Sequence, residues 1–157
     1  MQQDEQFFTD LVKQNKSTIY SVCYMFSNEK DEVEDLFQES LINLWRGLPS
    51  FEGRSQVQTW VWRVTLNTCI SADRKKKRAA TVPLAMDIDL FDESNAQSQQ
   101  AQLLRDRIQR LQPFDRAIVL LWLESMSYDE IAAIVGITPK NVGVRLYRIK
   151  EQLKKMN

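Results

Sequence analysis

The sequence predicts an all-α protein: two helical bundle domains joined by a flexible acidic linker, the C-terminal one containing a helix-turn-helix. Three observations carry that expectation. Apolar residues recur three and four apart through most of the chain, the period of a half-buried helix. No segment alternates apolar and polar residues as a strand does. Residues 79–98 lose the helical period between two stretches that keep it.

The elements follow in order. Ile19, Val22, Cys23 and Phe26 form one helical face, so a helix is expected over 18–26. Asn28 is placed to cap the next helix, with Glu29, Asp31 and Glu32 in a first turn that favours negative charge. That helix carries Val33, Leu36, Phe37, Leu41, Leu44, Trp45 and Leu48, and is expected to end near Gly47–Pro49. Ser50 to Ser55 reads as a loop. A long helix over 56–78 has Val57, Trp60, Val61 and Val64 as its core stripe and ends in Arg74-Lys75-Lys76-Lys77-Arg78. Residues 79–98 hold Pro83, four acids and a polar run, which makes them a linker between domains 1–78 and 99–157.

The second domain opens with the stripe Ala101, Leu104, Ile108 and Leu111. Pro113 restarts a helix at its tolerated first-turn position, carrying Phe114, Ile118, Leu121 and Trp122. Ser127-Tyr128-Asp129-Glu130 has the spacing of a capping box. Gly136 is the natural stop. Thr138-Pro139 starts a last helix with the stripe Val142, Leu146, Ile149 and Leu153.

Composition limits the function. At 43% apolar and 27% charged the chain reads as an ordinary globular protein. No apolar run approaches the roughly 20 residues that span a bilayer, and Met1–Glu5 is too polar for a secretory signal, so a cytoplasmic location is expected. There is no histidine, and the two cysteines, Cys23 and Cys69, sit in apolar helical stretches as small core residues. No metal site, cofactor or catalytic residue is expected. The formal charge is zero but unevenly spread. Residues 1–36 carry three basic and eight acidic residues, and 51–80 carry seven basic and two acidic. Residues 81–100 carry four acidic and no basic residues, and 101–157 carry ten basic and six acidic. Two basic blocks flanking an acidic one suit contact with a polyanion at two places.

Residues 127–155 give the sharpest local signal: a short capped helix, a glycine-containing turn and a second capped helix, which is a helix-turn-helix. The start of its second helix would enter a major groove. Lys140, Asn141, Val144, Arg145 and Arg148 lie mainly off the apolar stripe, and Asn and Arg are the side chains that pair bidentately with adenine and guanine. The alternative is a helical hairpin with a solvated basic face. Trp60 to Arg78 interleaves rings and cations, as single-stranded nucleic acid requires. Trp60 and Trp62, two apart, cannot share one helical face; one faces away from the main core, or different neighbours bury both. Arg63, Asn67 and Arg74 share a flank of that helix. The cations at 74–78 also suit a plain helix end. Asp35-Leu36-Phe37-Gln38-Glu39 is an amphipathic helix with an acidic flank, better read as a docking surface than as a catalytic carboxylate pair.

In order and at matching spacing, these pieces resemble the extracytoplasmic-function (ECF) group of bacterial RNA polymerase sigma factors over nearly the whole chain. The resemblance rests on Asp35–Glu39 with Leu44-Trp45-Arg46, on Phe51 with Trp60-Val61-Trp62-Arg63-Val64 and Asn67, on Arg74–Lys77, on Leu111–Arg116, and on Ser127–Ala132 through Val142 and Arg145. It implies a non-enzymatic factor that binds core RNA polymerase at its clamp helices and flap, recognises promoter DNA, and is often held by an anti-sigma factor. Asp35, Leu36, Gln38, Glu39 and Trp45 would dock on the polymerase. Phe51, Arg54, Trp62, Arg63, Asn67, Arg74 and Lys75 would take the melted minus-ten element, with the Phe51–Ser55 loop capturing a flipped base. Lys140, Asn141, Val144, Arg145 and Arg148 would read the minus-thirty-five element. The sequence departs from the family at Ser71, often Asp, at Leu66, and at Lys140, Asn141, Gly143 and Val144 in the reading helix. A free-standing operator-binding repressor would explain 101–157 but not Trp60–Arg78. A pure sequestering protein would need neither basic block.

Overall fold

The computed structural model describes residues 2–51, 56–79 and 99–156. Among these it is all-helical, with seven helices. They are α1 (Gln2–Tyr24), α2 (Lys30–Phe51), α3 (Val57–Ala79), α4 (Gln99–Gln109), α5 (Pro113–Leu123), α6 (Tyr128–Val135) and α7 (Pro139–Lys155). Of the expected loop at 50–55, Ser50 and Phe51 are instead the last residues of α2, and 52–55 lie outside the described residues, as does most of the expected linker.

Helices α1, α2 and α3 form the first bundle around Leu11, Ile19, Val22, Val33, Leu44, Val61 and Leu66. The expected helix at 18–26 is the end of a helix that begins at Gln2. Asn15 is why the earlier turns were hard to read. It interrupts the apolar stripe, yet is buried and donates from Nδ2 to the Leu11 carbonyl at 2.9 Å, so its polar group is satisfied in place. The cap of α2 also differs from expectation. Helix α2 starts at Lys30, its first backbone bond runs to the Glu29 carbonyl, and Ser27 rather than Asn28 accepts the Glu29 N–H at 3.0 Å. Nor does α2 stop at Gly47–Pro49: it continues to Phe51 with Pro49 inside it. Pro49 forfeits one helical bond. Packing offsets that loss, because Phe51 stacks on Trp60 with centroids 4.7 Å apart and an interplanar angle of 29°. Gly47 faces the same ring: a Cβ there would lie 3.4 Å from the indole, an ordinary van der Waals contact.

Cys23 and Cys69 meet in this core with sulfurs 3.9 Å apart. Hydrogen bonding to Cys23 and burial push the Cys69 thiol far above its ordinary range, so it stays protonated. At the opposite edge Lys76 of α3 pairs with Glu32 of α2 at 3.1 Å. Burial opposes ionisation of Glu32, but the Ser27 hydroxyl and Lys76 outweigh it and hold the carboxyl below its usual value.

The second bundle follows its punctuation closely. Ser127 Oγ accepts the Glu130 N–H at 3.1 Å and Glu130 Oε1 accepts the Ser127 N–H at 2.8 Å, which completes the capping box. Gly136 ends α6 at φ +82°, where a Cβ would be strained. Thr138 caps α7 through the Asn141 N–H at 3.2 Å, and Pro139 occupies the first turn. Val142, Leu146 and Ile149 are fully covered by α5 and α6. Helix α5 buries more than one stripe: Arg116, Ala117, Ile118, Val119 and Leu121 are all inside, because α5 also packs on α3 of the first bundle.

Candidate nucleic-acid interface

Helix α7 presents the more open of the two basic faces. Its two N-terminal devices fix the first turn, and the buried stripe turns the other residues outward. Lys140, Asn141, Val144, Arg145 and Arg148 are all exposed, as the helical spacing requires. Tyr147, at 68% the most exposed large apolar residue among those described, stands on the same open side and was not singled out from sequence. Arg145 is not a free cation: Nη1 pairs with Asp115 of α5 at 2.8 Å, and its guanidinium lies 4.7 Å from the Phe114 ring centroid. Gly143 gains a reason. A Cβ there would come within 3.2 Å of the Tyr128 ring, so the helix-weakening glycine seats Tyr128 against α7.

The second basic face is on α3. Asn67, Arg74 and Lys75 are exposed and Arg63 is partly covered. Both tryptophans are buried, each by different neighbours: Trp60 by Phe51 and Gly47 of α2, Trp62 by the second bundle. Trp62 lines a groove of about 440 Å³ together with Tyr24, Met25, Leu104, Leu120 and Leu123. Arg63 reaches the second bundle as well, donating to the Ala133 carbonyl of α6 at 2.5 Å. Arg54 lies outside the described residues.

The α2 face groups Asp35, Gln38, Glu39 and Trp45 in solvent, with Leu36 half-buried beneath them. Trp45 is anchored edge-on to Phe8 of α1 at 5.2 Å. Ile42, 43% exposed, joins this face. Its spacing four after Gln38 and three before Trp45 was the available signal.

Comparison with known proteins decides the family. The family Sigma-70 region 2 matches residues 11–79, and Sigma-70, region 4 matches residues 101–153. The chain belongs to the ECF-type RNA polymerase sigma factors. The ECF RNA polymerase sigma factor SigW of Bacillus subtilis is 29% identical over 97% of this chain and 89% of its own length. The RNA polymerase sigma-H factor of Pseudomonas aeruginosa is 27% identical over 97% of this chain and 86% of its own. The fold is similar to that of the sigma factor RpoE in complex with the anti-sigma factor NepR from Bartonella quintana. That likeness has a TM-score of 0.77 at 22% identity and covers 96% of each chain. CnrH, solved in complex with the cytosolic domain of CnrY, aligns with a TM-score of 0.69 at 22% identity, over 96% of this chain and 86% of that one.

As a sigma factor this protein directs RNA polymerase to promoters and is not an enzyme; its region-4 helix-turn-helix binds DNA. No helix among the described residues is long and apolar enough to cross a membrane. In this sigma factor α1–α3 are the body of region 2 and α4–α7 the body of region 4. Sequence reasoning missed the residues that join them, Arg105 and Arg116. Both are charged residues on helices and carry no periodic signal, although each is held by backbone carbonyls and a ring.

Proposed function

We propose a division of labour within the sigma factor, with boundaries at 1–78, 79–98 and 99–157. The exposed α2 face, with Asp35, Leu36, Gln38, Glu39 and Trp45, docks on the clamp helices of core polymerase, and region 4 rests on the flap. Phe51, Arg54, Trp62, Arg63, Asn67, Arg74 and Lys75 hold the melted minus-ten strand. Lys140, Asn141, Val144, Arg145 and Arg148 read the minus-thirty-five duplex. Residues 79–98 act as a flexible acidic tether, and the protein works in the cytoplasm. Both similar solved structures are complexes with an anti-sigma protein or its cytosolic domain, which supports the same kind of partner here.

The observation that carries this reading is the outward placement of Lys140, Asn141, Val144, Arg145 and Arg148 on the first turns of a doubly capped helix. That is the geometry with which a recognition helix addresses base edges. Asn67 tests the minus-ten role better than Trp62 does, because Asn67 is exposed while Trp62 also supports packing. With core polymerase, Asn67→Ala lowers open-complex formation more than closed-complex binding, and Arg148→Ala weakens promoter binding without weakening polymerase binding. Equal loss at both stages for Asn67→Ala, or loss of polymerase binding for Arg148→Ala, contradicts the assignment.

A further inference from the structure

The exposed side of α7 is not uniformly polar. With about 3.6 residues per turn, Val144 lies almost diametrically opposite the buried Val142, Leu146 and Ile149. It stands at the crest of the outward face, 42% exposed, with Lys140 one turn before it and Arg148 one turn after. Asn141, Arg145 and Arg148 fall to one side of that crest. The other side is apolar. Gly143 faces the Tyr128 ring, which a Cβ would meet at 3.2 Å, and Tyr128 and Tyr147 are both exposed there.

Stability does not explain Val144. A β-branched side chain on an open helix face loses rotamer freedom and gains no burial in return, and Gly143 beside it weakens the same turn. Both positions depart from the family pattern, so what this face reads is particular to this chain. The base edges of a major groove offer hydrogen-bond donors and acceptors and one apolar group, the C5-methyl of thymine. An isopropyl group satisfies no donor or acceptor, and it strips water from any that it covers. Against the methyl it leaves no polar group unpaired and takes apolar surface out of water on both partners.

We propose that Val144 is a specificity-determining residue of the helix-turn-helix: its isopropyl group packs on the C5-methyl of a thymine in the upstream duplex element, so this sigma factor selects thymine, on one strand, at that place. The inference deepens the reading above and rests on it in one respect, that α7 is the helix laid in the groove. A cytosine at the same place lacks the methyl and sets its N4 amino group near a side chain that cannot accept a hydrogen bond. Arg148 fixes where the thymine stands. One helical turn advances about 5.4 Å and successive bases along a strand are about 3.4 Å apart. The thymine therefore lies within about two base pairs of the base that Arg148 contacts.

The test uses holoenzyme assembled from core RNA polymerase and full-length wild type, Val144→Ser, Val144→Ala or Arg148→Ala. Wild-type holoenzyme first selects its upstream element from a random-sequence duplex library. Each thymine of that element is then replaced singly by deoxyuridine, which keeps the base pair and removes only the methyl. Wild type binds one of these duplexes about fourfold more weakly, the loss that follows from taking one methyl out of contact. Val144→Ser binds the all-thymine duplex more weakly by a similar factor and no longer responds to that deoxyuridine; Val144→Ala falls between. Circular dichroism confirms retained helix, and if Val144→Ser loses it, Val144→Ala carries the same comparison. A selected element without thymine, a wild type indifferent to every deoxyuridine, or a Val144→Ser protein that keeps the wild-type sensitivity overturns the inference. Arg148→Ala separates that failure from failure of the underlying reading. If Arg148→Ala weakens binding to the selected element and deoxyuridine does not, α7 reads DNA and Val144 does not read thymine. If neither matters, α7 is not the reading helix and both fall.

Discussion

Replacing Arg145 by Ala removes a contact to Asp115, a contact to Phe114 and a cation on the exposed side of α7, and these are separable. The ion pair spans 2.8 Å, but the arginine side chain is 44% exposed and the aspartate 20%. Solvent therefore screens it, and such a pair is worth about 0.2–1 kcal/mol. The Phe114 contact, with the guanidinium 4.7 Å from the ring centroid, adds about 0.5–1 kcal/mol. Arg145→Ala should therefore cost roughly 0.7–2 kcal/mol of stability, and Asp115→Ala about half of that or less. DNA binding separates the two variants further. A guanidinium forked onto a base edge is worth about 1–3 kcal/mol, so Arg145→Ala weakens holoenzyme binding to a promoter duplex by roughly tenfold or more. Asp115→Ala leaves Arg145 in place and removes a nearby negative charge, so its affinity matches or exceeds that of wild type. Denaturant unfolding and a holoenzyme–promoter titration measure the two effects. If both variants lose promoter affinity equally, Arg145 acts by bracing α5 against α7, and its direct contact with DNA is refuted.

Three further outcomes follow from individual contacts. Ser127→Ala breaks the capping box and destabilises region 4 by about 1 kcal/mol in thermal or denaturant unfolding, while Ser127→Asp restores most of it. Gly136→Ala forces a Cβ into the left-handed region at φ +82° and costs about 1–2 kcal/mol with no new contact to compensate. Glu32→Gln lowers the melting temperature at pH 7, and the gap from wild type closes in acid. The native carboxyl titrates below its unfolded value of about 4.3, so its contribution is present above that value and is lost as pH falls through the lower native one. A gap that persists below about pH 3 would mean that the Glu32 charge is not the source.

The second bundle was the more legible because its boundaries are written in local chemistry. Ser127, Glu130, Gly136, Thr138 and Pro139 act through their own backbone neighbours, and each does what its spacing requires. The first bundle was less legible wherever tertiary packing overrides a local rule. Asn15 looks like a break in a stripe but bonds its own helix, and Pro49 looks like a stop but is carried past by the stacking of Phe51 on Trp60. The candidate site divides the same way. Exposure of the α7 residues follows from the period of their own helix. The burial of Trp62 and the contacts of Arg105 with Tyr24 and Ser27 and of Arg116 with Phe26 depend on a partner bundle distant in sequence, and no local pattern encodes them.

The most direct measurement is transcription in vitro by purified core RNA polymerase across fragmented genomic DNA, with and without this protein. Discrete start sites that appear only with the protein, and that share two upstream elements at a fixed separation, are the predicted result. Transcripts with unchanged, scattered starts, together with no stable association with core enzyme, would contradict it.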